Sequence, residues 1–221
     1  MSIGLTYFGA AASGEIGITS LSTTVASLAS LAVFIIPLIA LLLSYDSFVG
    51  EQEAGTLLLL LTYPLSKSQL VLGKFLGQGG IIALAIFLGF GSSACLLYFQ
   101  LEDSAIVRTF GTFIFSSILL GLSFTAIAYL ISLSVSEKSK AAGVALIIWF
   151  FFALVFDLAL LALLVGVEQG VSQTGLTQLM MLNPADIFRL VNLAGLDSTD
   201  INGALSVAIN ASMSQQTLYL V

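Results

Sequence analysis

Long uncharged stretches alternate with short charged ones along this chain. Four stand out, at 21–44, 75–101, 109–136 and 141–167, the last interrupted only by Asp157. A membrane-crossing helix needs about 20 mainly apolar residues, and each stretch is long enough. A bilayer offers no water to unpaired backbone groups, and a barrel would need alternating strands of about ten residues. All four stretches are therefore predicted helices. The first carries Pro37, a kink that neighbouring helices can absorb inside a membrane. The second is studded with Gly77, Gly79, Gly80, Gly89 and Gly91, and small residues allow close helix contact. The predicted fold is an all-α integral membrane protein, a polytopic helical bundle forming a single transmembrane domain over residues 1–221.

Between the first two spans lies the loop 45–74, YDSFVGEQEAGTLLLLLTYPLSKSQLVLGK, with five of the chain's eighteen formal charges. A polar, amphipathic loop between membrane helices is where a soluble partner could grip. One reading is a docking helix over Glu51–Leu61, ended by Pro64. Its apolar run Leu57–Leu61 would lie against the membrane domain, and its polar face would meet a cytoplasmic partner. Glu51 and Glu53, two apart, point to different sides of such a helix. The other reading is a solvated loop with acids near a helix N-terminus.

Lysine and arginine set orientation. Lys67, Lys74, Lys138 and Lys140 lie in two loops, and Arg108 and Arg189 lie in the alternate ones. This places 45–74 and 137–140 in the cytoplasm, and 1–20, 101–108 and the segment after Glu168 outside. An outside start, and an uncharged Ser/Asn/Gln-rich stretch at 201–221, lead us to expect one further helix before Met1 and most of another after Val221. The complete bundle would have six spans. In the outer segment 168–210, Ile187, Leu190 and Val191 recur at helical spacing within Pro184–Leu196. Asn183 fits an N-cap, Pro184 the first helical position, and Asp186 the first turn. The expectation is a short amphipathic helix on the outer interface or on a partner.

Composition narrows the function. Hydrophobic residues make up 58% and charged residues 8%, against roughly 25% charged in a soluble domain. With a mean hydropathy of +1.11, a soluble core protein is excluded. The net charge of −6 is spread over loops and suggests no nucleic-acid partner. With no histidine and one cysteine, a His/Cys metal cluster, an intrachain disulfide and a Ser/His or Cys/His nucleophile are all ruled out. Cys95 reads as a small buried residue in a helix. Gly73-Lys74 lacks the upstream glycine of a nucleotide-binding loop and is followed by Phe75. No catalytic, cofactor-binding or metal residue is assigned. Met180 and Met181, with Met213, read as apolar packing rather than a copper(I) thioether site. Asn210-Ala211-Ser212 is a chance triplet, and Met1–Ser20 lacks the basic start of a signal peptide.

Asp157 is an acid inside a span, a functional candidate by default. If its helix starts near Ala141, it lies about 24 Å along an apolar core about 30 Å thick, near the outer edge. A structural or interfacial role is favoured over a transport-path role, and the second stays open. A proton- or ion-coupled secondary transporter using Asp157 and a non-transporting membrane scaffold for periplasmic proteins remain as alternatives.

The run EQEAGTLLLLLTYPLSKSQLVLGK resembles the first cytoplasmic loop of ABC-2 type permeases, roughly E-x-E-x-G-T-L-x-x-L-L-x-x-P-[LV]-S-[KR] and then G-K. The match covers Glu51, Glu53, Gly55, Thr56, Leu57, Pro64, Leu65, Ser66, Lys67, Gly73 and Lys74. The stretches at Trp149–Leu161 and Asn183–Leu190 resemble the branch whose transporter matures nitrous oxide reductase. The resemblance implies a permease in the cytoplasmic membrane of a bacterium or archaeon, set in the lipid bilayer as a homodimer. It also implies a cytoplasmic ATP-binding subunit. Glu51, Glu53, Gly55, Thr56 and Leu57 would then belong to the coupling helix, and Lys138 to a second contact with that subunit. A periplasmic solenoid partner and the reductase itself would meet the outer face, where Asp186 and Arg189 are expected as contacts. The permease itself is expected to be no enzyme and to carry no cofactor. The work would serve assembly of the reductase's copper–sulfur centre.

Overall fold

The computed structural model describes residues 18–60, 62, 64, 66–101, 104–166 and 179–192. Among them are four helices long and apolar enough to cross a membrane, and no strand. Helix α1 (Ile18–Ser44) leads into two short helices, α2 (Val49–Glu53) and α3 (Thr56–Leu60). Helices α4 (Lys67–Leu101) and α5 (Ser104–Ser134) follow. The fourth crossing has three parts: α6 (Lys138–Phe150), a π-helical turn (Phe151–Val155) and α7 (Phe156–Gly166). A short helix, α8, covers 184–192. Met213, the Asn210 triplet, the stretch 201–221 and most of 168–210 lie outside the described residues.

Helix α4 starts eight residues earlier than the charge pattern suggested. Its 35 residues span roughly 52 Å, well beyond the apolar core of about 30 Å. A capping box sets the start. Ser66 Oγ accepts from the Gln69 amide at 3.2 Å, and the Ser66 amide donates to Gln69 Oε1 at 2.9 Å. The segment 67–74, expected as loop, is thus a rigid extension of the second span.

Helix α5 is the centre of the bundle and packs against both α1 and α4. Its Phe110, Phe113 and Phe124 are fully buried, as are Leu28, Val33 and Leu41 of α1. The Phe113 ring meets Phe90 of α4 edge-on, at 4.8 Å between centroids. At Gly121 isoleucine side chains from α1 and α4 press onto the α5 backbone. A Cβ there would lie 2.7 Å from Ile82 Cγ2 and 3.5 Å from Ile36 Cγ2, so α1, α4 and α5 meet where only glycine fits. Three hydroxyls on α5 are satisfied within the helix: Ser123, Thr125 and Ser134 each donate to the carbonyl four residues back.

Pro37 lies inside α1 and removes one helical amide. In the same turn the Phe34 carbonyl accepts from Trp149 Nε1 at 2.9 Å, which ties the first span to the fourth. The outward faces of α4 and the fourth crossing are apolar and exposed within this chain, including Leu76, Phe87, Phe99, Ile147 and Leu158. Cys95 belongs to that exposed face, contrary to the expectation of burial. In its turn, Ser93 is the buried residue, and a side chain two positions on points to the opposite side of the helix.

Candidate functional site

Polar side chains gather at both ends of the bundle. At the lysine-bearing end, the stretch expected as one docking helix folds as two short helices, α2 and α3. Gly55 divides them with φ of 71°, a left-handed conformation that glycine adopts without penalty. The break turns α3 away from the spans, so Leu58 and Leu59 stand 73% and 65% exposed instead of lying against the membrane domain.

Helix α2 is bound to three other helices. Phe48 and Val49, at its start, are buried, and their amides both donate to Ser132 Oγ of α5 at 3.0 Å. Glu51, expected to face a partner, turns back onto Lys74 of α4, with Oε2 2.5 Å from Nζ. Lys74 Nζ also donates to the Ser47 carbonyl and lies 4.8 Å from the Phe48 ring centroid, within cation–π range. Glu53 Oε1 accepts from the Lys138 amide at 2.6 Å, supplying the N-terminal cap that Glu137 does not. Lys138 Nζ pairs with Asp46 at 2.7 Å. A cavity of about 630 Å³ opens among Asp46, Glu51, Thr56, Lys74, Gln78 and Lys138. Of the residues singled out in the sequence, Glu51, Thr56 and Lys138 line this cavity and Glu53 bonds the Lys138 amide, while Ser132, Lys74 and Asp46 anchor α2 and Lys138.

At the other end, α8 is docked into the bundle rather than lying on its surface. Asn183 Oδ1 accepts from the Ala185 amide at 3.0 Å, the expected N-cap. Asn183 Nδ2 donates to the Phe152 carbonyl at 3.0 Å, inside the π-helical turn. Asn192 Nδ2 reaches Ser116 Oγ at 2.9 Å, and the Phe188 ring lies 5.8 Å from that of Phe113. Arg189 binds Asp157 through Nη1 and lies 3.3 Å from Asp186 Oδ1. Its guanidinium is 6.0 Å from the Phe34 ring.

These contacts correct the outer-face expectation. Asp186 is only 2% exposed and turned inward, so it presents no surface to a partner, and Arg189 is committed to two carboxylates. The charge balance explains why: Asp157, near the end of its span away from the lysines, needs a cation, and Arg189 is the one brought to it. Neither the pair nor the Ser132 contact follows from sequence spacing, since the partners are 32 and 84 residues apart.

Burial, and then the neighbouring Asp157 carboxylate, push Asp186 up to about 6 from an ordinary 3.8, against the pull of Arg189 and Asn183. Its proton is held more tightly in the folded than in the unfolded chain. The resulting stability is fully present below about pH 4 and is lost as pH rises through about 6. We expect α8 amides, corrected for intrinsic exchange, to be better protected at pH 5 than at pH 7. Asp186→Asn should flatten that difference.

Comparison with known proteins places this geometry. The family described as "ABC-2 family transporter protein" matches residues 4–218. The chain belongs to the ABC-2 transporter family. It is 52% identical over 223 residues to a probable ABC transporter permease protein NosY of Pseudomonas aeruginosa, covering all of this chain and 81% of that protein. It is 51% identical over 224 residues to the protein of the same name from Stutzerimonas stutzeri, with the same coverage. An ABC-2 permease is a multi-pass membrane subunit of an ABC transporter, and the helical architecture here fits that role. The resemblance seen in the sequence is thereby supported along the whole chain.

Proposed function

We propose that this permease couples ATP hydrolysis in a cytoplasmic partner to transport that serves maturation of the copper–sulfur centre of nitrous oxide reductase. The observation that carries the coupling role is the α2–α3 element. It is anchored to α4, α5 and α6, yet it presents the apolar pair Leu58–Leu59 to solvent at the lysine-bearing end. Exposed adjacent leucines outside the spans are what a groove on a soluble subunit would bury. The positive-inside rule puts this end in the cytoplasm, where ATP is. The reductase reading rests on the name of the relatives and on the runs at Trp149–Leu161 and Asn183–Leu190. A homodimer in the bacterial or archaeal cytoplasmic membrane fits the exposed apolar faces of α4 and the fourth crossing. A periplasmic solenoid partner would meet the outer end, on surfaces other than Asp186.

A secondary transporter built on Asp157 draws no support from the geometry, because that carboxylate is held by Arg189. The decisive experiment is Leu58→Asp with Leu59→Asp in the full-length permease. Co-purification of the ATP-binding subunit should fall at least tenfold at normal permease level, and cells should accumulate reductase lacking its copper–sulfur centre. Undiminished co-purification and ATP hydrolysis would overturn the coupling role of α2–α3.

A further inference from the structure

We infer that Ser132, in the third membrane span, is the positioning residue through which motion of α2 reaches the bundle. The inference rests on the coupling reading of α2–α3.

A helix start leaves amides without partners, and they need an acceptor. At the start of α2 the N-cap residue is Phe48, whose side chain offers none. The amides of Phe48 and Val49 are instead both taken by Ser132 Oγ, 84 and 83 residues away in sequence. A hydroxyl oxygen has two lone pairs, and both are used here. The site is buried: Ser132 is 1% exposed, Phe48 3% and Val49 0%. Loss of the hydroxyl therefore takes the acceptor from two buried donors.

The other links from α2 differ in kind. Glu51 reaches Lys74 across two long, partly exposed side chains. Glu53 reaches the Lys138 amide at an exposed position. Such links let one element slide while the contact persists. The Ser132 link is a short side chain, buried, bound directly to backbone, and it fixes both distance and angle. Around it, the Phe48 ring stands edge-on to Tyr129 of α5 at 5.1 Å, and the Tyr129 ring meets Phe75 of α4 at 5.9 Å. A push on α2 is thus delivered to α5, and α5 is the helix against which α1 and α4 both pack. Ser123, Thr125 and Ser134 of α5 bind carbonyls of their own helix, whereas Ser132 reaches across to α2.

The test uses full-length permease with its ATP-binding subunit in lipid nanodiscs. Cys95 of α4, exposed within this chain, is the position for a thiol-reactive fluorophore, in a complex whose other cysteines are replaced by alanine. Vanadate trapping with ATP supplies the driven state. In Ser132→Ala, the Phe48 and Val49 amides should exchange at least tenfold faster. The ATP-driven fluorescence change at Cys95 should shrink at least fivefold, while ATP hydrolysis stays within twofold of the parent. Ser132→Thr, which keeps the oxygen, should restore the fluorescence response. Unchanged exchange at the two amides overturns the cap. Faster exchange with an undiminished fluorescence response overturns its role in transmission. If Ser132→Ala and Ser132→Gly both fail to accumulate while Ser132→Thr does, the hydroxyl serves folding and the positioning role falls. A parent complex that binds the ATP-binding subunit but shows no ATP response removes the coupling reading, and this inference with it, whatever the exchange data show.

Discussion

Arg189→Ala is expected to destabilise the permease by about 3 kcal/mol, the lower end of the cost of breaking a buried ion pair. The lower end applies because the Arg189 and Asp157 side chains keep 29% and 32% exposure. The loss is large because one guanidinium serves two acids. Without it, Asp157 and the nearly fully buried Asp186 face each other uncompensated, and α8 loses its main tie to the fourth crossing. Adding Asp157→Asn should return most of the lost stability by removing the stranded charge. Asp157→Asn alone should cost less than Arg189→Ala, since Arg189 keeps Asp186. Thermal unfolding in detergent, with exchange at α8 amides, measures all three. A loss below 1 kcal/mol for Arg189→Ala, or no recovery in the double variant, would mean that α8 is held by its apolar and amide contacts instead.

The four membrane-length helices were legible because a bilayer imposes a strict rule: a charge within a spanning run of about 20 residues is costly, so charges mark the ends. That rule failed at α4, whose first two turns carry Lys67 and Lys74 and lengthen the helix beyond what an apolar core of about 30 Å requires. A different signal was present there, the Ser66–Gln69 capping box, which marks a helix start irrespective of charge. The π-helical turn left no trace in the sequence, since Phe151–Val155 is as apolar as its neighbours.

The candidate sites were half legible. The cluster from Glu51 to Leu57 drew attention through its charges and its likeness to a known loop, and Asn183-Pro184 correctly marked the start of α8. What one side chain does for another was not visible. Glu51 looks like a partner contact until Lys74, one helix away, is seen to take it. Ser132 looks like any serine in a membrane helix. Asp157 and Arg189 could have been matched on one argument alone: a single acid near the far end of a span, and a lone arginine in the short helix that follows it. Leu57–Leu61 misled because apolar residues beside a membrane suggest packing onto it, and the direction of the Gly55 turn is not encoded in periodicity.

Asn183→Asp separates the geometry from simple helix-capping rules. Aspartate and asparagine are near-equal N-caps, so a capping argument alone predicts almost no change. The structure predicts a loss of about 3 kcal/mol, on the order of an unsatisfied buried carbonyl plus a buried like-charge contact. Asn183 is fully buried, and its amide nitrogen donates to the Phe152 carbonyl and to Asp186 Oδ2 at 3.1 Å. A carboxylate keeps the bond to the Ala185 amide but turns both donors into acceptors. It would face a carbonyl in the π-helical turn, where the regular ladder is interrupted, and a second carboxylate beside it. Asn183→Ala loses the cap as well, about 1 kcal/mol, yet adds no charge, so it should be the milder of the two. The deficit of Asn183→Asp should also shrink on acidification, as the new carboxyl and Asp186 take up protons. Thermal unfolding at pH 5 and pH 7 tests the ranking. Asn183→Asp as stable as the parent at pH 7 would show that Asn183 acts only as a helix cap and does not join α8 to the fourth crossing.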